Sequence, residues 1–311
     1  MDFRPTAPPP GRLVRLGLIL DTRNDWSGLS EVAQMCDGAG FDALWVEDGL
    51  VSEDDVPRKE AWTVLATVAR DVRRARLGAI VNPAFRPPAV LAAMAQTLDD
   101  ALGGRLELSF TAGSNVAEHL ALGLDFPDED AALHRAEGYA AIVRDLPRPP
   151  TLAIVGATAA AFDVAARIAD DVVLPPSDPG GVVHAVHLLR QACERNQRSA
   201  AAIGIAMMVP VSIGRTTAEA SARAEADPRF REMGSVREVG IFGTLEQCQE
   251  RVIELAHAGI SDLRCAVPNA PDMPDVLAQL TAIAIGTVDV LTPGSPRSKS
   301  PDPPVGWGGR A

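Results

Sequence analysis

The feature that most constrains this chain is alternation, because an apolar strand-like run is followed eight times by an amphipathic helix-like one. The strand-like runs cover 15–21, 43–48, 76–81, 105–111, 151–155, 171–174, 203–213 and 262–267. Strands separated by helices pair in parallel through right-handed crossovers. Eight such units in 311 residues predict a closed (β/α)8 TIM barrel rather than an open doubly wound sheet. Chemistry in such a barrel belongs to the loops at the carboxyl ends of the strands. Asp48, Asn82, Thr111, Gly113, Gly156, Ala157 and Thr158 all fall on that face.

Composition narrows the partners. No run approaches the ~20 consecutive apolar residues that span a bilayer, so a soluble protein with no membrane partner is expected. A net charge of −12 argues against nucleic acid, whose phosphates need clustered Lys and Arg, and leaves a small-molecule substrate. Cys36, Cys193, Cys248 and Cys265 show no metal-ligand spacing and read as buried thiols. With no signal peptide at the start, a cytoplasmic location is expected. His184 and His187 lie three apart on a predicted helix without a third ligand, so no metal site is expected. Residues 1–11 and 292–311 are rich in Pro, Gly and Ser and read as flexible tails around a single barrel domain at 12–291.

The stretch IVNPAFRPP at 80–88 breaks an apolar run with Asn82-Pro83 and restarts it on Pro87-Pro88. Proline removes a backbone donor and holds its predecessor extended, so a loop lies here; its prolines read either as a helix start after an ordinary turn or as supports of a strained platform. Asp48 is the candidate acid or base, because a carboxylate in a partly dry mouth has its pKa raised toward the useful range. A cap, or an ion pair with Arg86, is the other reading. Glu47 should face the opposite way on an extended strand. Glu107 lies inside an apolar strand and reads as part of a buried network. Thr158 reads either as an N-cap or as part of an anion site with Gly156 and Ala157. Arg23, Arg58, Lys59 and Arg86 are the cations near the upper face, and His119 and His134 flank the helical region after strand four.

Four segments together carry a resemblance: GAGFDALWVED (38–48), residues 74–113, IVGATAAAFDVAARIADDVVL (154–174) and FGTLEQCQERVIELAHAGISDLR (242–264). They resemble the bacterial luciferase-like monooxygenase superfamily, and especially its branch that uses the deazaflavin coenzyme F-420. The phrase GAIVNPAFRPPAVLA is most similar to the methylenetetrahydromethanopterin reductases.

The resemblance implies an oxidoreductase that moves a hydride between F-420 and a small organic substrate. It implies a bulge, often with a non-prolyl cis peptide, among Gly78, Ala79 and Ile80. Ala79, Ile80, Asn82, Thr111 and Gly113 would then border the cofactor, and Gly156, Ala157 and Thr158 its phosphate. A reduced-FMN monooxygenase and a non-catalytic ligand-binding barrel are the alternatives, and a homodimer is left open. The chain departs from its relatives at Gly49, where many carry His, and at Ala169-Asp170-Asp171, where Ala-Asp-Gly is usual. The glycine pattern after strand four is reduced to Ser109, Thr111 and Gly113. Before strand five only residues 147–150 remain of a longer insertion, which shortens the cover of the site.

Overall fold

The computed structural model describes residues 7–50, 58–113, 115–227, 229–268 and 273–291. Chain order opens with β1 (Arg15–Ile19), α1 (Trp26–Ala39), β2 (Ala43–Glu47), α2 (Ala61–Val68), β3 (Arg76–Val81) and α3 (Pro88–Leu102). It continues with β4 (Leu106–Thr111), α4 (Val116–Ala121), α5 (Glu129–Arg144), β5 (Thr151–Val155), α6 (Ala159–Ile168), β6 (Asp171–Leu174) and α7 (Pro179–Arg195). After β7 (Gly204–Ile213) come α8 (Thr217–Ala226), α9 (Arg229–Glu232), α10 (Val236–Val239) and β8 (Ile241–Gly243). α11 (Leu245–Ala258), β9 (Asp262–Ala266) and α12 (Met273–Leu291) complete the order.

Every strand pair is parallel. β1 to β7 follow one another around the sheet, and β9 pairs with both β7 and β1 to close an eight-stranded barrel. Each of the eight expected strand runs contributes one of these strands. β8 is an addition, because residues 216–258 were expected to hold helices alone. It extends the sheet beside the last turn of β7, pairing Val211 with Ile241 and Ile213 with Gly243. The expected tails at 1–11 and 292–311 lie outside the described residues, apart from residues 7–11. Among the described residues no helix is long and apolar enough to cross a membrane.

Period-two alternation divides each strand between two cores. Leu16, Leu18, Leu44, Val46, Leu77 and Val81 face outward into the helix layer, which forms the large core. Helix starts are set by side-chain caps: Asp25, Asp128, Thr158 and Asp178 each accept a backbone N–H from the first turn, worth about 1 kcal/mol apiece. All four cysteines are free and buried.

The inward set is unusual in its charge. Arg15 bridges Glu107 at 3.1 Å and Asp262 at 3.4 Å, and Arg76 closes on the same Glu107 oxygen. Arg264 donates to the Ser109 hydroxyl at 2.7 Å and lays its guanidinium 3.4 Å from the ring centroid of Trp45. A desolvated cation–π contact of this kind contributes about 2 kcal/mol. Above this layer Ile19, Ala43, Trp45 and Ile80 form a small inner cluster.

The third strand corrects one expectation. β3 runs in unbroken register with β2 through Trp45–Gly78, Val46–Ala79 and Glu47–Ile80, and with β4 through Gly78–Glu107, Ala79–Leu108 and Ile80–Ser109. No bulge interrupts Gly78, Ala79 and Ile80, and every peptide bond among the described residues is trans. The glycine has a packing reason instead: the ring of Trp45, its partner on the neighbouring strand, lies directly over it.

Candidate active site

At the carboxyl ends of the strands the barrel opens into two adjoining cavities of about 200 and about 100 Å3. The larger lies over β2, β3, β4, β5 and β7. Its apolar floor is Ile80, Val155 and Met208, which pack on the Trp45 cluster. Its polar wall comes from Asn82, Thr111, Asn115 and Glu118. The smaller cavity lies between the ends of β1, β2 and β9, lined by Asp21, Thr22, Arg229 and Met233 among others. Glu47 and Arg58 border both. A larger apolar groove of about 740 Å3 lies elsewhere, on the outer face between α2 and α3.

Each wall is held by its loop. Asn82 ends β3, and its side-chain oxygen accepts the N–H of Ala84, which starts the short 3-10 turn Pro83–Phe85. Pro88 occupies the first turn of α3, so the prolines of 80–88 set a turn and a helix start. Arg86 leaves this loop to meet Asp48 with both guanidinium ends, one at 3.0 Å, and also contacts Glu60. Glu60 is itself the cap of α2, accepting from Trp62 and Thr63. The hydroxyl of Tyr139 donates to the Arg86 carbonyl at 2.6 Å. One guanidinium thus ties the ends of β2 and β3 to the start of α2.

This geometry separates two neighbouring carboxylates. The Asp48 side chain is fully buried; burial raises its carboxyl above the ordinary range against the opposing pull of Arg86. Glu47 is exposed and stands at the boundary between the two cavities. Of this pair Glu47 is the exposed carboxylate, while Asp48 is the one bound by Arg86. The expectation that only one of the pair faces the site meets a wall in which both border the cavity, in different roles.

Beside the smaller cavity, Arg23 pairs with Asp21 at 2.8 Å, and Arg229 pairs with Asp227. Burial works against ionisation of Asp21 and Asp227, but the arginines outweigh it and hold both carboxyls below their ordinary range. Behind the wall, His119 is buried, with Nδ1 2.9 Å from the Asn115 carbonyl and Nε2 3.4 Å from Asn82 Nδ2. A carbonyl can only accept, so Nδ1 carries the proton and Nε2 accepts from Asn82. Phe85 and Phe126 pack on its ring.

The sequence candidates divide accordingly. Asp48, Ile80, Asn82, Thr111 and Gly113 come together around the larger cavity. Ala79 does not: its side chain turns outward into the helix layer, as the parity of the strand demands once Ile80 faces inward. Gly156, Ala157 and Thr158 follow directly on Val155 but do not line the cavity. Thr158 caps α6 by accepting from Ala161 and donates to Glu129 at 2.7 Å. Asp170, in the altered Ala-Asp-Asp, accepts from Leu152 N at 2.8 Å and from Arg144. His134 is exposed on α5. Sequence reasoning missed Glu118 and Met208. For Met208 the signal was its parity with Ala206 on β7; Glu118 had none, since α4 is only six residues long.

A parallel barrel with a partly apolar cavity at the carboxyl ends of its strands defines a scaffold for small-molecule chemistry. The model of the luciferase-like monooxygenase family matches residues 13–232, and the chain belongs to that family. Its fold is similar to the coenzyme F420 dependent tetrahydromethanopterin reductase from Methanopyrus kandleri, with TM-score 0.73 and 16% identity over 88% of this chain and 99% of that one. It is equally similar to an F420-dependent secondary alcohol dehydrogenase in complex with an F420-acetone adduct, with TM-score 0.75 and 16% identity over 88% and 99%. The EDTA monooxygenase from Chelativorans sp. BNC1 matches with TM-score 0.72 and 16% identity over 88% and 94%. At these identities the likeness is one of fold.

Proposed function

We propose that this protein is an F-420-dependent oxidoreductase acting on a small organic substrate at the barrel mouth. The observation that carries the reading is the larger cavity, whose apolar floor of Ile80, Val155 and Met208 lies under a hydrogen-bonding wall of Asn82, Thr111 and Asn115. These residues fit a flat heteroaromatic ring with polar edges. The preference for deazaflavin over flavin rests on the resemblance of residues 78–88 to the methylenetetrahydromethanopterin reductases.

When bound, the cofactor supplies hydride transfer. The protein's own residues do the rest. Ile80, Val155 and Met208 exclude water from one face of the site. Asn82, held by Ala84 N–H and His119, offers its amide in a fixed orientation. Glu47, at the boundary of the two cavities, exchanges the proton that accompanies hydride transfer at the substrate. Asp48 positions the loop through Arg86. Ala157 and Thr158, at the start of α6, are the proposed phosphate donors, together with the close approach that Gly156 permits.

A reduced-FMN monooxygenase is the second reading, supported by the similarity of fold to the EDTA monooxygenase. Equilibrium titration of the protein with oxidised F-420 and with FMN separates the two. We also propose a homodimer. The exposed groove between α2 and α3 supports it, because the small side chains of Ala66, Ala69, Ala89 and Ala93 let a second helix pair approach closely. Sedimentation velocity checks this, and a monomer at micromolar concentration contradicts it.

A further inference from the structure

Gly49 carries no side chain, and the space beside it is taken by another residue: a β-carbon built at position 49 would lie 3.2 Å from Nη1 of Arg58 and 3.8 Å from Oε1 of Glu118. Glu118 is fixed in turn, since Oε1 accepts the N–H of Leu50. The guanidinium of Arg58 therefore passes close beside position 49, where a side chain would crowd it. It borders both cavities, and among the described residues lining the larger one it is the only cation.

We propose that Arg58 is the residue that stabilises negative charge on the ring system bound in the mouth, and that Gly49 exists to let it in. This rests on the function proposed above. Both candidate ligands carry such charge in a titratable form. The deazaflavin ionises at its ring hydroxyl to an anion spread over the ring, and reduced flavin ionises at a pyrimidine nitrogen. A guanidinium within a few ångströms favours those anions, and the low-dielectric floor of Ile80, Val155 and Met208 strengthens the effect. The other charged groups facing the cavity are Glu47, Glu118 and Asp48, the last already matched by Arg86. Asp21 and Arg229 face the adjoining cavity. Carboxylates share these walls, and among the described lining residues Arg58 is the cation beside them.

The test is an absorbance titration against pH of oxidised F-420 bound to the wild-type protein and to Arg58→Gln, Arg58→Lys and Gly49→Ala. Arg58→Gln should make the ionisation constant of the bound chromophore at least about tenfold less favourable, which equals about 1.4 kcal/mol. Arg58→Lys should retain most of the wild-type value. Gly49→Ala crowds the guanidinium without removing it, so it should shift the constant in the same direction by less, and it gives the answer if Arg58→Gln does not fold. Unchanged ionisation in Arg58→Gln, or in Gly49→Ala if the former is lost, overturns the role of Arg58 and leaves the functional reading standing. Failure of the wild-type protein to bind either F-420 or FMN overturns both.

Discussion

The indole of Trp45 lies over Gly78 of the neighbouring strand so closely that a β-carbon at 78 would come within 2.2 Å of Trp45 Cε3. Gly17, on the other flanking strand, would bring one within 2.9 Å of the indole nitrogen. The ring thus lies across its two neighbouring strands at positions that have no room for a side chain. With the Arg264 guanidinium against its face, it supports the floor of the cavity. Gly78→Ala should destabilise the protein by at least about 1–3 kcal/mol through overpacking. Trp45→Phe should recover part of that loss when combined with it, although costly alone. Urea unfolding of the two single variants and the double variant reads the coupling; additive losses would show that the ring and the glycine do not compete for space.

Glu107 is held ionised in the barrel interior. Burial opposes its charge, but Arg15, Arg76 and Arg264 outweigh that cost and leave its carboxyl below the ordinary range. Its contribution to stability is therefore present above the unfolded pKa of about 4.3 and is lost as pH falls toward the folded value. Asp262, raised first by burial, acts in the opposite sense, so a variant isolates Glu107 better than the wild-type profile does. Glu107→Gln should cost about 3–5 kcal/mol at neutral pH, since it removes a charge shared by buried arginines, and the difference from wild type should narrow below about pH 4.3. Urea midpoints across that range check this, and a difference independent of pH would contradict it.

The two carboxylates at the end of β2 should separate by phenotype. Asp48→Asn removes the charge that Arg86 meets in a buried pair and should lower stability by about 2 kcal/mol. Glu47→Gln changes a side chain exposed to the mouth and should leave the melting temperature nearly unchanged. Calorimetry on both variants decides. Equal melting losses would place Glu47 in the structural framework, and no loss in Asp48→Asn would free Asp48 for proton transfer.

The barrel was legible because its eight strands each carry an apolar outward face, and that periodicity survives in sequence whatever the inward face holds. β8 was not, since Ile241–Gly243 is too short to show a period. The charged interior was legible only at Glu107, which sits mid-strand. Arg15 and Asp262 begin their strands, where a polar residue reads as the end of a turn, and Arg264, although mid-strand in β9, was not singled out. That Asp48, Ile80, Asn82, Thr111 and Gly113 line the mouth followed from its place at the strand ends. Which of Glu47 and Asp48 is exposed did not, because alternation says that adjacent residues face apart without saying which of them faces the cavity. That depended on Arg86, 38 residues away, reaching back to claim Asp48.

Which ring the mouth holds separates the deazaflavin reading from the flavin one. Equilibrium fluorescence titrations with oxidised F-420 and with FMN, in one buffer at one ionic strength, measure that preference. The predicted result is tighter binding of F-420 by at least about tenfold, or roughly 1.4 kcal/mol. Tighter binding of FMN would contradict the deazaflavin reading and favour the oxygenase, and binding of neither would contradict both.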